Sequence, residues 1–417
     1  MAGVAAGRAL AQGGLDVVVL EAGDRVGGRV HTIRDLVDHP VEAGAEFVHG
    51  SNAATWQDVR AGGLDTVPVP YLWSWFNLAG TTKWLPRHLA HPGVWRSFDI
   101  LWSLGRFSGG DCSAETFIER KGYQGRAREL AQLTLTAHLP GSVAEVGIAG
   151  LGADGVLHLE SGVNHRVVSG YDLLPQQIAT GLDVRLGYRV QSMAWGPDGV
   201  TVSPSSGDAV SARAAITTLP HGVLARDVVE FDPPLPTTKQ AAIARIATGA
   251  VAKALLAFDR RFWPRKAAQV VCGTGPVTLY WPTSFGTDGP PVLSAYATGP
   301  RAQALSEAGA DKALEIVLDD VERVFPGSRP RATLIGSRFV DWASDPNAYG
   351  GYTFLPPGAV GARADLAAPT GSLFWAGSAT ESHPVADTVE AAYLSGLRAA
   401  RQVSAHLRDA GSRGRSR

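Results

Sequence analysis

The chain has 417 residues, 45 % of them hydrophobic, which is long for one compact core and fits two interleaved domains. Thirty-eight Lys and Arg nearly cancel 39 Asp and Glu, so the charge balance points to no nucleic-acid or acidic partner. Only two cysteines, Cys112 and Cys272, are present; they exclude a disulfide framework or a thiolate metal site and suit a reducing, cytoplasmic compartment, while the lack of an apolar run of about 18 residues or a signal-peptide pattern predicts no membrane span and no secretion.

In chain order, residues 4–12 read as a helix and Asp16–Leu20 as a parallel strand that is apolar on both faces. Residues 55–150 are rich in Trp and Leu and read as mostly helical; "WRSFDILWSLGRF" (95–107) and "GRARELAQLTLTAHL" (125–139) have amphipathic spacing. Two or three short strands follow in "LDVRLGYRVQSMAWGPDGVTVSP" (182–204), Val190 among them, and then a strand runs into the Pro-bounded turn of "SARAAITTLPHGVL". Longer strands come in "VAKALLAFDRRFW", "TLYWPTSF" and "PVLSAYA". The segment "ADKALEIVLDDVERVF" places Leu314, Val317, Leu318, Val321 and Phe325 on one helix face. A strand in "GSLFWAG", a closing helix from about Thr388–Val389 and a frayed basic tail over 406–417 end the chain. No repeat or linker is visible. The alternation predicts an α/β fold in which a dinucleotide-type domain, built from 1–55, 155–235 and 335–405, carries a mixed sheet-and-helix substrate domain built from 56–154 and 236–334.

The opening thirty residues, "MAGVAAGRALAQGGLDVVVLEAGDRVGGRV", have the second half of a βαβ dinucleotide unit. In such a unit glycines admit a pyrophosphate at a helix N-terminus and an acidic residue about 20 positions on binds the ribose. Gly3 and Gly7 stand where the late glycines of the turn belong, and Glu21 ends the strand. The unit's first strand and first glycines are expected upstream of Met1. Glycines that merely ease helix–strand packing are the alternative. The order Glu21, Gly27, Gly28, Arg29 argues against it, because it adds a flexible turn and a guanidinium suited to a phosphate.

On these residues "VVVLEAGDRVGGRVHT" resembles the flavin-dependent amine oxidases, a family that spans monoamine oxidases, polyamine oxidases and flavin-type histone demethylases. Three more segments are similar to the same family. In "VEAGAEFVHG" (41–50), the resemblance implies that Gly44 and Ala45 lie close to the flavin ring, with Glu46 and Phe47 beside it and His49 facing the substrate. In "FVDWASDPNAYGGYTFLPPG" (339–358), it implies that Trp342 packs on the flavin and that Tyr352 walls the substrate cage. Gly351 stands where some relatives carry a flavin-linked cysteine, so non-covalent FAD is expected. In "SLFWAGSATESHPVADTVEAAYLSGLRAA" (372–400), Gly377, Ser378, Thr388 and Val389 would meet the cofactor. Ser378 replaces a frequent Glu, and Thr388 a frequent Tyr, leaving the two-aromatic cage short of one wall.

Lys253, in an otherwise apolar strand, matches the family lysine that holds a water beside the flavin; an edge-strand lysine is the alternative. The resemblance therefore implies an FAD-dependent oxidase that converts a primary or secondary amine, di- and polyamines included, to an imine, with O2 reduced to H2O2. A desaturase-like or protoporphyrinogen-oxidase-like flavoprotein, and a non-catalytic flavoprotein that lacks the first strand, are the competing readings. Glu46, Glu381, Asp387 and Glu390 are candidates for a distal ammonium. Nothing in the sequence speaks to oligomeric state.

Overall fold

The computed structural model describes residues 1–69, 74–88, 110–137, 139–155, 163–284, 287–382 and 386–414. The predicted helix over 95–107 lies outside them.

The opening helix, Ala2–Gln12, is made of small residues, and that is what lets it nest. Gly7 lies against Val19, where a Cβ would come within 3.0 Å of Cγ2. On its other side the closing helix, Val389–Gly414, crosses so near that a Cβ on Gly396 would meet the Ala2 carbonyl at 2.3 Å. That helix runs past residue 406, through most of the segment expected to fray. The strand Val18–Leu20 pairs in parallel with Asp183–Arg185. A second parallel pair joins Ala215–Thr217 to Leu373–Trp375. Among the described residues no strand bridges the two pairs, and both Val18–Leu20 and Ala215–Thr217 line one cavity of about 910 Å³. Of the two or three short strands expected in 182–204, three form, as Asp183–Arg185, Val190–Gly196 and Gly199–Pro204.

The second part of the fold is a seven-stranded sheet in the order Leu334–Asp341, Val251–Phe258, Val292–Thr298, Leu279–Pro282, Gln269–Cys272, Ser74–Leu78, Thr81–Trp84. Val251–Phe258 has a neighbour on each side, so Lys253 is not an edge lysine. Period-two alternation divides this strand. Ala252, Ala254, Leu256 and Phe258 pack in one core with Val317, Leu318 and Val321 of helix Ala310–Val324. Val251, Lys253 and Leu255 share the opposite face.

One sequence expectation is corrected in part here. Among the described residues of 55–150, strands Thr66–Val69, Ser74–Leu78 and Thr81–Trp84 stand where helix was expected, beside helices Ala114–Arg120 and Gly125–Thr136. A turn at Ala79 and Gly80, both with positive φ (48° and 73°), folds Ser74–Leu78 back on Thr81–Trp84. Ser74–Leu78 then gains a long-range parallel partner in Gln269–Cys272. Such a partner overrides local helical character, and no local pattern reveals it.

Candidate active site

Two cavities share a wall. The larger, about 910 Å³, is bordered by Gly3, Glu21, Gly27, Gly28 and Arg29 at the opening motif, and by Val190 on the far side. Glu21 ends its strand with a carboxylate that accepts the Gly23 amide at 2.7 Å. Gly28 adopts φ 59°, with open space where a side chain would be. Gly44 is fixed by closeness: a Cβ there would lie 1.8 Å from the Arg29 carbonyl. Arg29 donates to Ser378 Oγ at 2.7 Å and to Asp387 Oδ1 at 3.1 Å. Asp387 also accepts from Thr353 and Ser378, and the nearby Arg29 and Arg363 cations hold its carboxyl below the usual range against the opposing effect of burial. Gly377 and Ser378 line the same cavity, as does Trp342, whose indole donates to the Ala43 carbonyl at 3.1 Å.

The smaller cavity, about 160 Å³, shares Gly44, Ala45, Lys253, Tyr296, Tyr352, Thr388 and Val389 with the larger one. Glu46, Phe47 and His49 line only the smaller. At the junction Lys253 is 3 % exposed and donates to the carbonyls of Gly44 (2.7 Å) and Glu42 (3.1 Å) and to Glu46 Oε2 (3.4 Å). These acceptors use its three protons, so a water at Nζ requires one of them to yield. Burial lowers the Lys253 pKa, and the Glu46 charge opposes that shift.

Glu46 also accepts the Trp281 indole proton at 2.6 Å and faces Arg166 at 3.2 Å. His49 pairs its Nδ1 with Asn164 Oδ1 at 3.0 Å, and burial holds the imidazole to its neutral form. Tyr352 and Tyr296 line both cavities, and burial pushes both phenols above their usual range. Thr388 Oγ1 accepts the Ala391 amide at 3.1 Å, capping the closing helix whose first residue is Val389. Helix capping is thus what Thr388 does, at the position read in the sequence as a departure from a frequent tyrosine.

Every catalytic or cofactor-binding residue singled out in the sequence therefore lies on one of the two cavities. Sequence reasoning missed Arg166, Asn164, Trp281 and Tyr296. An aromatic in a strand was the only signal for the last two, and Arg166 and Asn164 carried none. Of the four carboxylates considered for a distal ammonium, Glu381 instead pairs with Arg398 at 3.6 Å, and Glu390 accepts the Ala54 and Thr55 amides. Neither lines the smaller cavity. No described helix is long and apolar enough to cross a membrane.

A family profile described as "Flavin containing amine oxidoreductase" matches residues 1–80 and 88–404. The chain belongs to this family. It is a flavin-containing amine oxidoreductase whose cofactor is FAD. Polyamine oxidase 4 of Oryza sativa subsp. japonica is 29 % identical, over 96 % of this chain and 86 % of the relative. Polyamine oxidase 2 of Arabidopsis thaliana is also 29 % identical, over 95 % of this chain and 85 % of its own. Among solved structures, wild-type putrescine oxidase bound to putrescine superposes with a TM-score of 0.84 at 20 % identity, covering 96 % of each chain. Cyclohexylamine oxidase from Brevibacterium oxydans IH-35A gives 0.82 at 20 % identity over 97 % of each. These structures share the fold, an FAD-binding part with a substrate part.

The residues present fit the cofactor. The larger cavity combines an open glycine turn, a carboxylate at a strand end, an arginine and the N-terminus of the closing helix, the donor set a dinucleotide needs. Gly351 has no side chain to link to a flavin, and a Cβ there would lie 2.2 Å from Val251 Cγ2.

Proposed function

We propose that this chain oxidises the carbon–nitrogen bond of a primary or secondary amine to an imine and passes the two electrons to O2, which leaves as H2O2. The observation that carries the reading is the shared wall: a dinucleotide-sized cavity meets a small aromatic pocket at a buried lysine. In atoms, the amine gives up one hydrogen from its α-carbon and one from its nitrogen, and a carbon–nitrogen double bond forms between the two. O2 takes up the two electrons and two protons as H2O2, and water then releases the carbonyl compound and the remaining amine or ammonia.

Bound FAD supplies the two-electron chemistry. The protein's share is to bind, orient and select the protonation state. Only a neutral amine has the lone pair that the imine needs, and a pocket walled by Phe47, Trp281, Tyr296 and Tyr352 disfavours the ammonium. Neutral His49 can accept an N–H without adding charge. Lys253 places a cation at the cavity junction, where charge develops during reaction with oxygen. Residues 1–55, 155–235 and 335–405 are assigned to the cofactor part, and 56–154 and 236–334 to the substrate part. A cytoplasmic setting suits Cys112 and Cys272, both free.

The names of the relatives bring putrescine and polyamines to the substrate panel. The described walls add that Glu46 and Asp387 already face cations, which favours an amine that offers one nitrogen to the pocket. The test is anaerobic absorbance from 300 to 550 nm after FAD reconstitution, with cyclohexylamine, benzylamine, putrescine and spermidine added in turn. Bleaching by any of them, reversed by air with release of H2O2, supports the reading. FAD bound but never bleached moves the chain to another flavin chemistry. Failure to bind FAD supports the non-catalytic reading.

A further inference from the structure

We propose that Asp387 is a positioning residue for the cofactor: its carboxylate holds the Arg29 guanidinium in place to meet the phosphates of FAD. This rests on the FAD site described above and not on the amine reading.

Asp387 is 6 % exposed and lines both cavities. Its two oxygens serve different parts of the fold. Oδ1 accepts from Arg29 Nη2 at 3.1 Å and from the Ser378 hydroxyl, which itself accepts from Arg29 Nη2 at 2.7 Å. Oδ2 accepts the amide and the hydroxyl of Thr353, the hydroxyl at 2.6 Å. Thr353 Oγ1 in turn receives Arg363 Nη1 at 2.7 Å, and Arg363 grips Asp154 through Nε (2.7 Å) and Nη2 (2.8 Å). The backbone is held as well: the Asp387 amide donates to the Ser378 carbonyl at 3.3 Å, and the Ala386 amide to the Asp154 carbonyl at 3.0 Å. Arg29 is thus tied to a carboxylate that is itself anchored.

An aspartate is a costly choice at this position. Its φ is 55°, in the left-handed region that glycine enters freely. Its charge stands on the wall of a cavity that takes an anionic cofactor, and burial opposes the ionisation that Arg29 and Arg363 favour. A glycine would satisfy the backbone at neither cost. A side chain that stands despite both points to a use for its charge, and Arg29 shows that use. Both Nη2 protons of Arg29 go to Ser378 and Asp387, while Nε and Nη1 have no partner among the described residues. Fixing one nitrogen of a planar fork fixes the direction of the others. Arg29 lines the larger cavity and not the smaller, so the protons that remain serve the cofactor.

The test titrates FAD into the deflavinated protein and follows flavin fluorescence, with melting temperature alongside. The proteins are the wild type, Asp387→Asn, Asp387→Gly, Arg29→Met, Arg29→Met with Asp387→Asn, and Thr353→Val. Asp387→Asn and Asp387→Gly are each expected to raise the FAD dissociation constant roughly tenfold, the worth of one charge-assisted hydrogen bond. In the Arg29→Met background Asp387→Asn should bring no further rise, because the carboxylate acts through Arg29. Thr353→Val loosens the other side of the carboxylate, and FAD binding should hold, since Thr353 does not line the larger cavity. Unchanged or tighter FAD binding in Asp387→Asn overturns the inference. So does equal weakening with and without Arg29, or a loss in Thr353→Val as large as in Asp387→Asn, which would make the effect a general loosening. Should Asp387→Asn fail to fold, Asp387→Gly, which suits the positive φ, decides by the same criteria. A wild type that binds no FAD overturns this inference and the amine reading together, whereas one that binds FAD but is bleached by no amine overturns only the amine reading.

Discussion

Lys253 Nζ lies 3.4 Å from Glu46 Oε2, with both side chains almost wholly removed from solvent. The pair does not stand alone, since Arg166 approaches the other oxygen of Glu46 at 3.2 Å. One carboxylate thus faces both basic side chains, and its attraction opposes the fall in the lysine's pKa that burial causes.

Replacing Lys253 by Met removes the cation at the cavity junction but leaves Glu46 paired with Arg166. Anaerobic reduction of the flavin by amine should persist. Its return to the oxidised form in oxygen should slow on the order of 100-fold, the usual effect of deleting one preorganised electrostatic partner. In the wild type the oxygen phase should weaken as pH rises through the lowered lysine pKa, while in Lys253→Met it should be flat. Stopped-flow traces of the two half-reactions check this, and equal slowing of both would refute it.

Glu46→Gln acts on the same lysine from the other side. Glu46 raises the Lys253 pKa, so its neutralisation should move the alkaline fall of the oxygen phase to lower pH. Arg166, 6 % exposed, is then left without a counter-ion. Removing one partner of a buried pair costs about 3–5 kcal/mol, which should appear as a lower midpoint in urea unfolding. An unchanged midpoint would mean that Arg166 is compensated by other means.

Glu42 makes stability itself depend on pH. Burial pushes its carboxyl up from 4.5 to about 7, although it accepts the Tyr171 amide and the Thr32 hydroxyl. The folded chain therefore keeps a proton that the unfolded chain has released. Below about pH 4.5 the group costs nothing; stability is lost between about 4.5 and 7; above 7 the loss is constant. Its full size is about 3 kcal/mol as an upper bound. Glu42→Gln, which cannot ionise, should gain on the wild type across that window and then run parallel to it. Thermal melts at five or six pH values test this, and a constant difference from pH 4 to 8 would exclude it.

How far the sequence reveals this site depends on what each residue answers to. Gly28, Arg29, Gly44 and Gly377 answer to local backbone geometry, so a short motif carries them. Lys253 is legible because a charge inside an apolar strand is anomalous in any context. Tyr296, Trp281 and Arg166 answer to strand register and to partners far along the chain. The chain between 55 and 150 misleads for the same reason, since its strands are completed by Gln269–Cys272 and Asn164–Val167. Thr388 was legible only as a departure; its capping hydrogen bond explains the threonine.

Gly351 sets a limit on the cofactor's attachment that a mutation series can read. A Cβ added there would lie 2.2 Å from Val251 Cγ2 and 2.3 Å from Val251 Cβ, closer than any relaxed contact. Gly351 also donates its amide to the Gly249 carbonyl at 3.1 Å, so the backbone is not free to retreat. Gly351→Ala should therefore destabilise by about 1–3 kcal/mol, the range for overpacking a filled core. It should also release FAD more readily, because Val251 and Gly351 both line the cofactor cavity. Val251→Gly removes both carbons that crowd the added methyl, and relative to Val251→Gly alone the double variant should lose little further stability. Melting temperature and FAD release on dilution provide the measurements. If Gly351→Ala costs as much in the Val251→Gly background as in the wild type, the strain lies in the backbone rather than in this contact.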